Sequence, residues 1–257
     1  VSLAEYASYP SLRDRTILIT GGGSGIGAAF VEQFALQGAK VAFLDVAEQA
    51  SRQLLHELEG RCAHAPRYVC CDVTDLSALK AAIGQIAVDS GPIRVLVNNA
   101  GNDDRHNFSE VTPDYWDNRI AINLKHQFFA AQAVAPGMKA AGGGSIINLS
   151  SIAWMIPTPN LSVYETAKAA ILGLTRALAH ELGAANIRVN AVSPGAIFTE
   201  RQRRLWMSRE YELEVLARQC IKRNVLPDDV ARLVLFLAAE DSAALSSQNH
   251  IIDGGWI

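Results

Sequence analysis

The rhythm of this chain constrains its fold more than any single residue does. From Thr16 onward, short apolar runs rich in β-branched residues alternate with stretches patterned for amphipathic helices. The runs are "TILIT" at 16–20, "KVAFLD" at 40–45, "RYVCCD" at 67–72, "IRVLVNNA" at 93–100, "GSIINLSS" at 144–151, "IRVNAVSPG" at 187–195 and "HIIDGG" at 250–255. The helical stretches run from Ile26 to Gln37, Glu48 to Glu59, Leu76 to Ala87, Pro113 to Lys139 and Val163 to Leu182, with another in "LPDDVARLVLFLAAE". Strands apolar on both faces need cover on both faces, and the helices between them supply it. The pattern predicts an α/β fold: a doubly wound parallel sheet of about seven strands in one Rossmann-type domain. Residues 200–224, basic and acidic by turns, interrupt it as a helical insertion where a lid would sit.

Composition supports one domain spanning 1–257. With 49% hydrophobic residues the chain can bury one large core, and neither a linker-like stretch nor a repeat divides it. A net charge of -3 supplies no field for nucleic acid or an anionic membrane. The opening "VSLAEYASYPSLRDR" is too polar for a signal-peptide core, and no apolar run reaches the length of a membrane span. Cys62, Cys70, Cys71 and Cys220 show neither a CxxC pair nor a disulfide framework, so a reduced, cytoplasmic setting is expected. The scattered histidines form no metal-ligand pattern, and no metal is expected.

In a doubly wound sheet, ligands bind beyond the carboxyl ends of the strands. "TGGGSGIG" at 20–27 follows the first strand there, and Gly21, Gly25 and Gly27 let backbone amides approach a pyrophosphate at a helix amino terminus. Asp45 ends the second strand, where a carboxylate can accept both hydroxyls of an adenosine ribose and repel a 2'-phosphate. Residues 22–24 offer no Arg or Lys to offset that charge, so NAD is favoured over NADP. The competing reading makes Asp45 a helix cap. Tyr164 and Lys168, in "YETAK", share a helix face, close enough for the ammonium to lower the phenol pKa. Ser151 ends the fifth strand and can hydrogen-bond the same reacting oxygen, or it is a simple loop residue.

"TGGGSGIG", Asp45, "CDV" at 71–73, "NNAG" at 98–101, Asn123 in "INL", Ser151, "YETAK" and "SPGAIFT" resemble, in order and spacing, the short-chain dehydrogenase/reductase family from about Leu12 to Ile257. The resemblance implies that Tyr164 is the general acid/base and that Lys168 holds the nicotinamide ribose and lowers the tyrosine pKa. Ser151 would orient the substrate oxygen, and Asn123 would hold a water linking Lys168 to solvent. It places Ser24 and Ile26 with the three glycines at the pyrophosphate, Asp72 and Val73 beside the adenine, Asn99 at the adenosine ribose, and Pro194, Ile197 and Thr199 around the carboxamide. A departure stands near the end, where the family's Thr-Gly pair is expected at Ser247 and Gln248, putting that turn in doubt.

"NNAGNDDRH", "YWDNRIAINLKHQFFAAQAVAPGMKAAGGGSIIN", "FTERQ" and "IIDGGWI" further resemble bacterial NAD-dependent sugar 1-dehydrogenases. That likeness implies oxidation at C1 of a cyclic aldose, such as D-xylose, L-arabinose or L-fucose, to its lactone. A sugar presents several hydroxyls that an apolar pocket would leave unpaired. Asn102, Asp103, Asp104, Arg105 and His106 are therefore candidates for a polar pocket floor; alternatively, Asp104 and Arg105 pair with Arg119 or Asp117 and fix the loop. Trp154, between Ser151 and Tyr164, overhangs the site, either stacking on a sugar or packing the loop. Arg201, Arg203, Arg204 and Trp206 lie on the lid, and most are expected solvated or paired with Glu210, Glu212 and Glu214. "FFAAQAVAPGM" and "AAILGLTRALA" carry wide apolar faces suited to a homotetramer. The rival readings are a reductase of 3-oxoacyl thioesters or a steroid-like ketone, and an NAD-binding sensor without turnover.

Overall fold

The computed structural model describes residues 6–257; Val1–Glu5, where the predicted domain and the opening polar segment begin, lie outside the described residues. Among the described residues, β1 (Thr16–Thr20), β2 (Lys40–Asp45), β3 (Arg67–Cys70), β4 (Ile93–Asn98), β5 (Gly144–Leu149), β6 (Ile187–Pro194) and β7 (Asn249–Ile252) form one parallel sheet in the order β3-β2-β1-β4-β5-β6-β7. The chain order reverses between β1 and β4, which opens a crevice at their carboxyl ends.

The continuous apolar runs are explained by the cover on both sides. Ile17 and Ile19 of β1, Val41 and Phe43 of β2, and Val95 and Val97 of β4 point into one core. That core is completed by Phe30 and Phe34 of α1 (Gly25–Leu36), Leu54 of α2 (Glu48–Glu57), and Val234 and Leu235 of α9 (Pro227–Ala238). Leu18, Ala42, Leu44 and Leu96 point the other way. They meet Ile83 of α3 (Leu76–Ser90), Val134 of α5 (His126–Ala140) and Leu178 of α6 (Ser162–Leu182). Full burial of each large side chain contributes about 1.5–3 kcal/mol.

Three details refine the sequence reading. The stretch expected as one helix from Pro113 to Lys139 is α4 (Pro113–Ile120), a π-helical turn at Ala121–Lys125, and then α5. The extra residue of a π turn re-aims side chains, and it carries Asn123 here. The insertion consists of α7 (Glu200–Leu205) and α8 (Arg209–Arg218), joined to the body by a bridge between Ile197 and Val225. The doubtful turn before β7 forms, with Ser247 at φ 65°, so Ser247 rather than Gln248 takes the conformation that glycine usually supplies. Its amide donates to the Val189 carbonyl at 2.7 Å.

Candidate active site

The glycine loop is shaped by contact. Gly21 (φ 67°) donates its amide to the Leu44 carbonyl at 2.7 Å. A Cβ on Gly27 would stand 1.8 Å from the Gly21 carbonyl oxygen, so only glycine lets α1 begin this close to β1. Ser24, the N-cap, makes no side-chain cap, and the first amides of α1, at Gly25, Ile26 and Gly27, face a space suited to an anion. Thr199 closes that space from the β6 side, its methyl lying 3.6 Å from the position a Gly25 Cβ would take. Pro194 ends β6, and Ile197 is buried beside Thr199.

Asp45 accepts the Gly23 amide at 2.8 Å through one oxygen and the Ala47 amide at 2.8 Å through the other. It therefore locks the glycine loop and turns the chain toward α2, with one lone pair left on each oxygen for a ribose. Asn99, expected at the adenosine ribose, lies against the glycine loop. Its amide nitrogen donates to the Thr20 and Gly21 carbonyls at 3.1 and 2.7 Å, tying β4 to the glycine loop. Val73 is packed in the core, whereas Asp72 is exposed and caps Thr74.

At the ends of β5 and α6, Ser151, Tyr164 and Lys168 come together. Ser151 accepts the Ala153 amide at 3.1 Å, and its hydroxyl favours the ionised form of the Tyr164 phenol. The Lys168 ammonium lies 5.5 Å from the Tyr164 ring centre and donates to the Leu149 carbonyl at 2.8 Å. Burial dominates both groups. It raises the Tyr164 phenol, with Asp103 adding to the rise while Ser151, Arg105 and Arg201 oppose it. It presses the Lys168 ammonium down to about 8 against the pull of Asp103. The sequence expectation that Lys168 lowers the phenol is thus outweighed by desolvation.

Asn123 is fully buried, and its side chain accepts the Asn102 amide at 2.8 Å and donates to the Asn102 carbonyl at 3.1 Å. It anchors the loop after β4. That loop crosses Asn123 and Lys168 closely: a Cβ on Gly101 would lie 3.0 Å from Asn123 Oδ1 and 3.3 Å from Lys168 Nζ.

The charged loop itself is clasped from two sides. Asp104 pairs with Arg119 of α4 at 3.2 Å, one of the two pairings weighed from sequence, and with Arg201 of α7 at 2.9 Å, which was not foreseen. Asp103 pairs with Arg201 at 3.3 Å and accepts from Gln202 at 2.7 Å. The glutamates expected to pair with the lid arginines are engaged elsewhere, Glu214 with Arg218 and Glu212 with Asn224. Arg105 makes no carboxylate pair among the described residues and stacks over Trp206 at 5.1 Å. His106 is held by Tyr115 and Ser162, each at 3.1 Å. Trp154 stands half-buried in the turn after Ser151, its indole nitrogen buried and without a partner among the described residues. Arg201, Gln202 and Trp206 carried no signal in sequence beyond their place on a lid, because their partners lie about a hundred residues away.

A family model described as enoyl-(acyl carrier protein) reductase matches residues 21–257. The chain belongs to the short-chain dehydrogenase/reductase family. Among its relatives, a probable galactose dehydrogenase of Rhizobium meliloti is 50% identical over 97% of this chain and 97% of that protein. A D-xylose 1-dehydrogenase of Caulobacter vibrioides is 51% identical over 97% of this chain and 98% of the relative. The crystal structure of a 3-oxoacyl-(acyl-carrier protein) reductase from Brucella melitensis superposes with a TM-score of 0.91 at 32% identity, covering 100% of this chain and 97% of that one. Members of this family use nicotinamide cofactors, and the glycine loop, the open amides of α1 and the Thr199 wall fit that group.

Proposed function

We propose that this oxidoreductase removes hydride from C1 of a cyclic aldose and leaves the 1,4- or 1,5-lactone, with NAD as the acceptor. The observation that carries the sugar reading is the half-identity, along nearly the whole chain, to relatives named for galactose and D-xylose dehydrogenation. The charged loop lying over Lys168 agrees with it, since a polyol needs polar partners where a steroid needs an apolar mouth.

When bound, NAD supplies the hydride acceptor. The amides of Gly25, Ile26 and Gly27 would hold its pyrophosphate, Asp45 its adenosine ribose, and Ile197 and Thr199 its carboxamide side. Ser151 orients the C1 hydroxyl, and Tyr164 takes that proton as the C1–H bond breaks. Lys168 keeps positive charge beside the phenol as it becomes anionic, and the pair relays the proton outward. Asp103, Asp104 and Asn102 shape the sugar side, and Trp154 walls it. Asp45 carries negative charge where a 2'-phosphate would sit, which supports NAD over NADP.

The assembly we favour is a homotetramer. Phe128, 39% exposed, borders two apolar grooves on the outer faces of α5 and α6, of about 490 and 390 Å³, that a second copy would cover. We place the protein in the cytoplasm, in keeping with its four free cysteines. Among the described residues, no helix is long and apolar enough to cross a membrane.

The test is reduced-nicotinamide formation from NAD with a panel of aldoses, 3-hydroxyacyl thioesters and steroid alcohols. Aldose turnover is expected, with Tyr164→Phe slower by about 10²–10⁴-fold. Response only to thioesters or steroids would overturn the sugar reading, and no turnover with any substrate would favour the sensor.

A further inference from the structure

Arg201 stands on α7, a short helix outside the sheet, yet its guanidinium lies within ion-pair distance of both Asp103 (3.3 Å) and Asp104 (2.9 Å). Its neighbour Gln202 donates to Asp103 at 2.7 Å, so two consecutive lid side chains grip one carboxylate. The loop bearing that carboxylate lies on the catalytic groups, because Gly101 packs against Lys168 Nζ and Asn123, and Asn123 pins Asn102 by two hydrogen bonds. Asp103, its side chain 21% exposed, thus stands where α7 reaches it, in the loop that packs on Lys168.

We propose that Arg201 is a positioning residue for the base: its clasp on Asp103 neutralises a carboxylate carried by the loop that packs on Lys168. This rests on Tyr164 being the base. The charged and polar groups facing Tyr164 are Asp103 and Arg105 from the loop after β4, Ser151 from the loop after β5, Lys168 from its own helix, and Arg201 from α7. His126 of α5 faces Lys168 from below. Asp103 opposes ionisation of the phenol, whereas Arg105 and Arg201 favour it. Of the two arginines, Arg201 alone pairs with Asp103 among the described residues, so its contribution depends on where α7 sits. With α7 docked, the acid in the floor is neutralised.

The experiment is the pH profile of kcat/KM for whichever alcohol the enzyme turns over with NAD, in wild type, Arg201→Gln, Asp103→Asn and the double variant. Arg201→Gln is expected to move the acid limb to higher pH and to lose about tenfold at neutral pH, the factor carried by one unit of apparent pKa. The alkaline plateau is kept. Asp103→Asn moves the limb to lower pH, and Arg201→Gln adds no further movement in that background. An Arg201→Gln profile lowered equally at every pH, or a shift that persists in the double variant, would overturn the coupling while leaving the sugar reading intact. Arg201→Lys is expected to restore most of the wild-type profile. If no alcohol is turned over, the Tyr164 signal of ¹³C-tyrosine-labelled, NAD-saturated protein, assigned with Tyr164→Phe, is titrated by NMR in the same four proteins. An unmoved signal refutes the coupling.

Discussion

Asp45 shows how one side chain serves a local and a distant purpose. Its oxygens accept the Gly23 and Ala47 amides, so the carboxylate that would face a ribose also holds the glycine loop and the turn into α2, whose N-cap is Ala47. Asp45→Ala is therefore expected to loosen the glycine loop and relax the cofactor preference together. The ratio of kcat/KM for NAD over NADP should fall by about tenfold or more, the worth of one charge-assisted contact. A ratio unchanged from wild type would show that something other than this charge selects the cofactor. The pairing of Tyr164 with Lys168 was legible from spacing alone because a helix repeats every 3.6 residues. The balance of their ionisation was not, since desolvation depends on everything packed around them.

At the scale of elements, the turn from β1 into α1 is the tightest contact near the site. Gly27→Ala places a methyl group on the Gly21 carbonyl, and relief must come from moving α1 away from the sheet. The expected cost is about 1–3 kcal/mol in urea unfolding, with NAD affinity reduced because the helix amides shift with the backbone. Wild-type stability and affinity in this variant would mean that the loop has slack the geometry does not suggest. The strands and most helices were readable from periodicity to within a few residues. The π turn at Ala121–Lys125 was not, for a single inserted residue barely alters an apolar pattern, yet it sets where Asn123 points.

For the whole molecule, the buried titratable groups govern how stability responds to pH. His126 is fully buried, and burial followed by the charge of Lys168 presses its imidazole down to about 3. The unfolded chain binds a proton near the ordinary value of 6.5, so between 6.5 and 3 it holds more protons than the fold does. Stability is complete above that window and is lost as pH falls, with a slope approaching about 1.4 kcal/mol per unit. His126→Gln is expected to flatten the fall in urea midpoint between pH 6.5 and 4.5, where the carboxylates contribute little. The same steepness in the variant would assign the acid sensitivity elsewhere.

By itself the sequence determined the alternation of strand and helix, the glycine turn from β1 into α1, and the face shared by Tyr164 and Lys168, because each follows from patterns that act over a few residues. Only the tertiary structure decided that Asp103 and Asp104 meet Arg201, that Asn99 ties the glycine loop, and that burial outweighs charge at Tyr164 and Lys168. These depend on distances between residues far apart in the chain and on how much water the finished packing excludes.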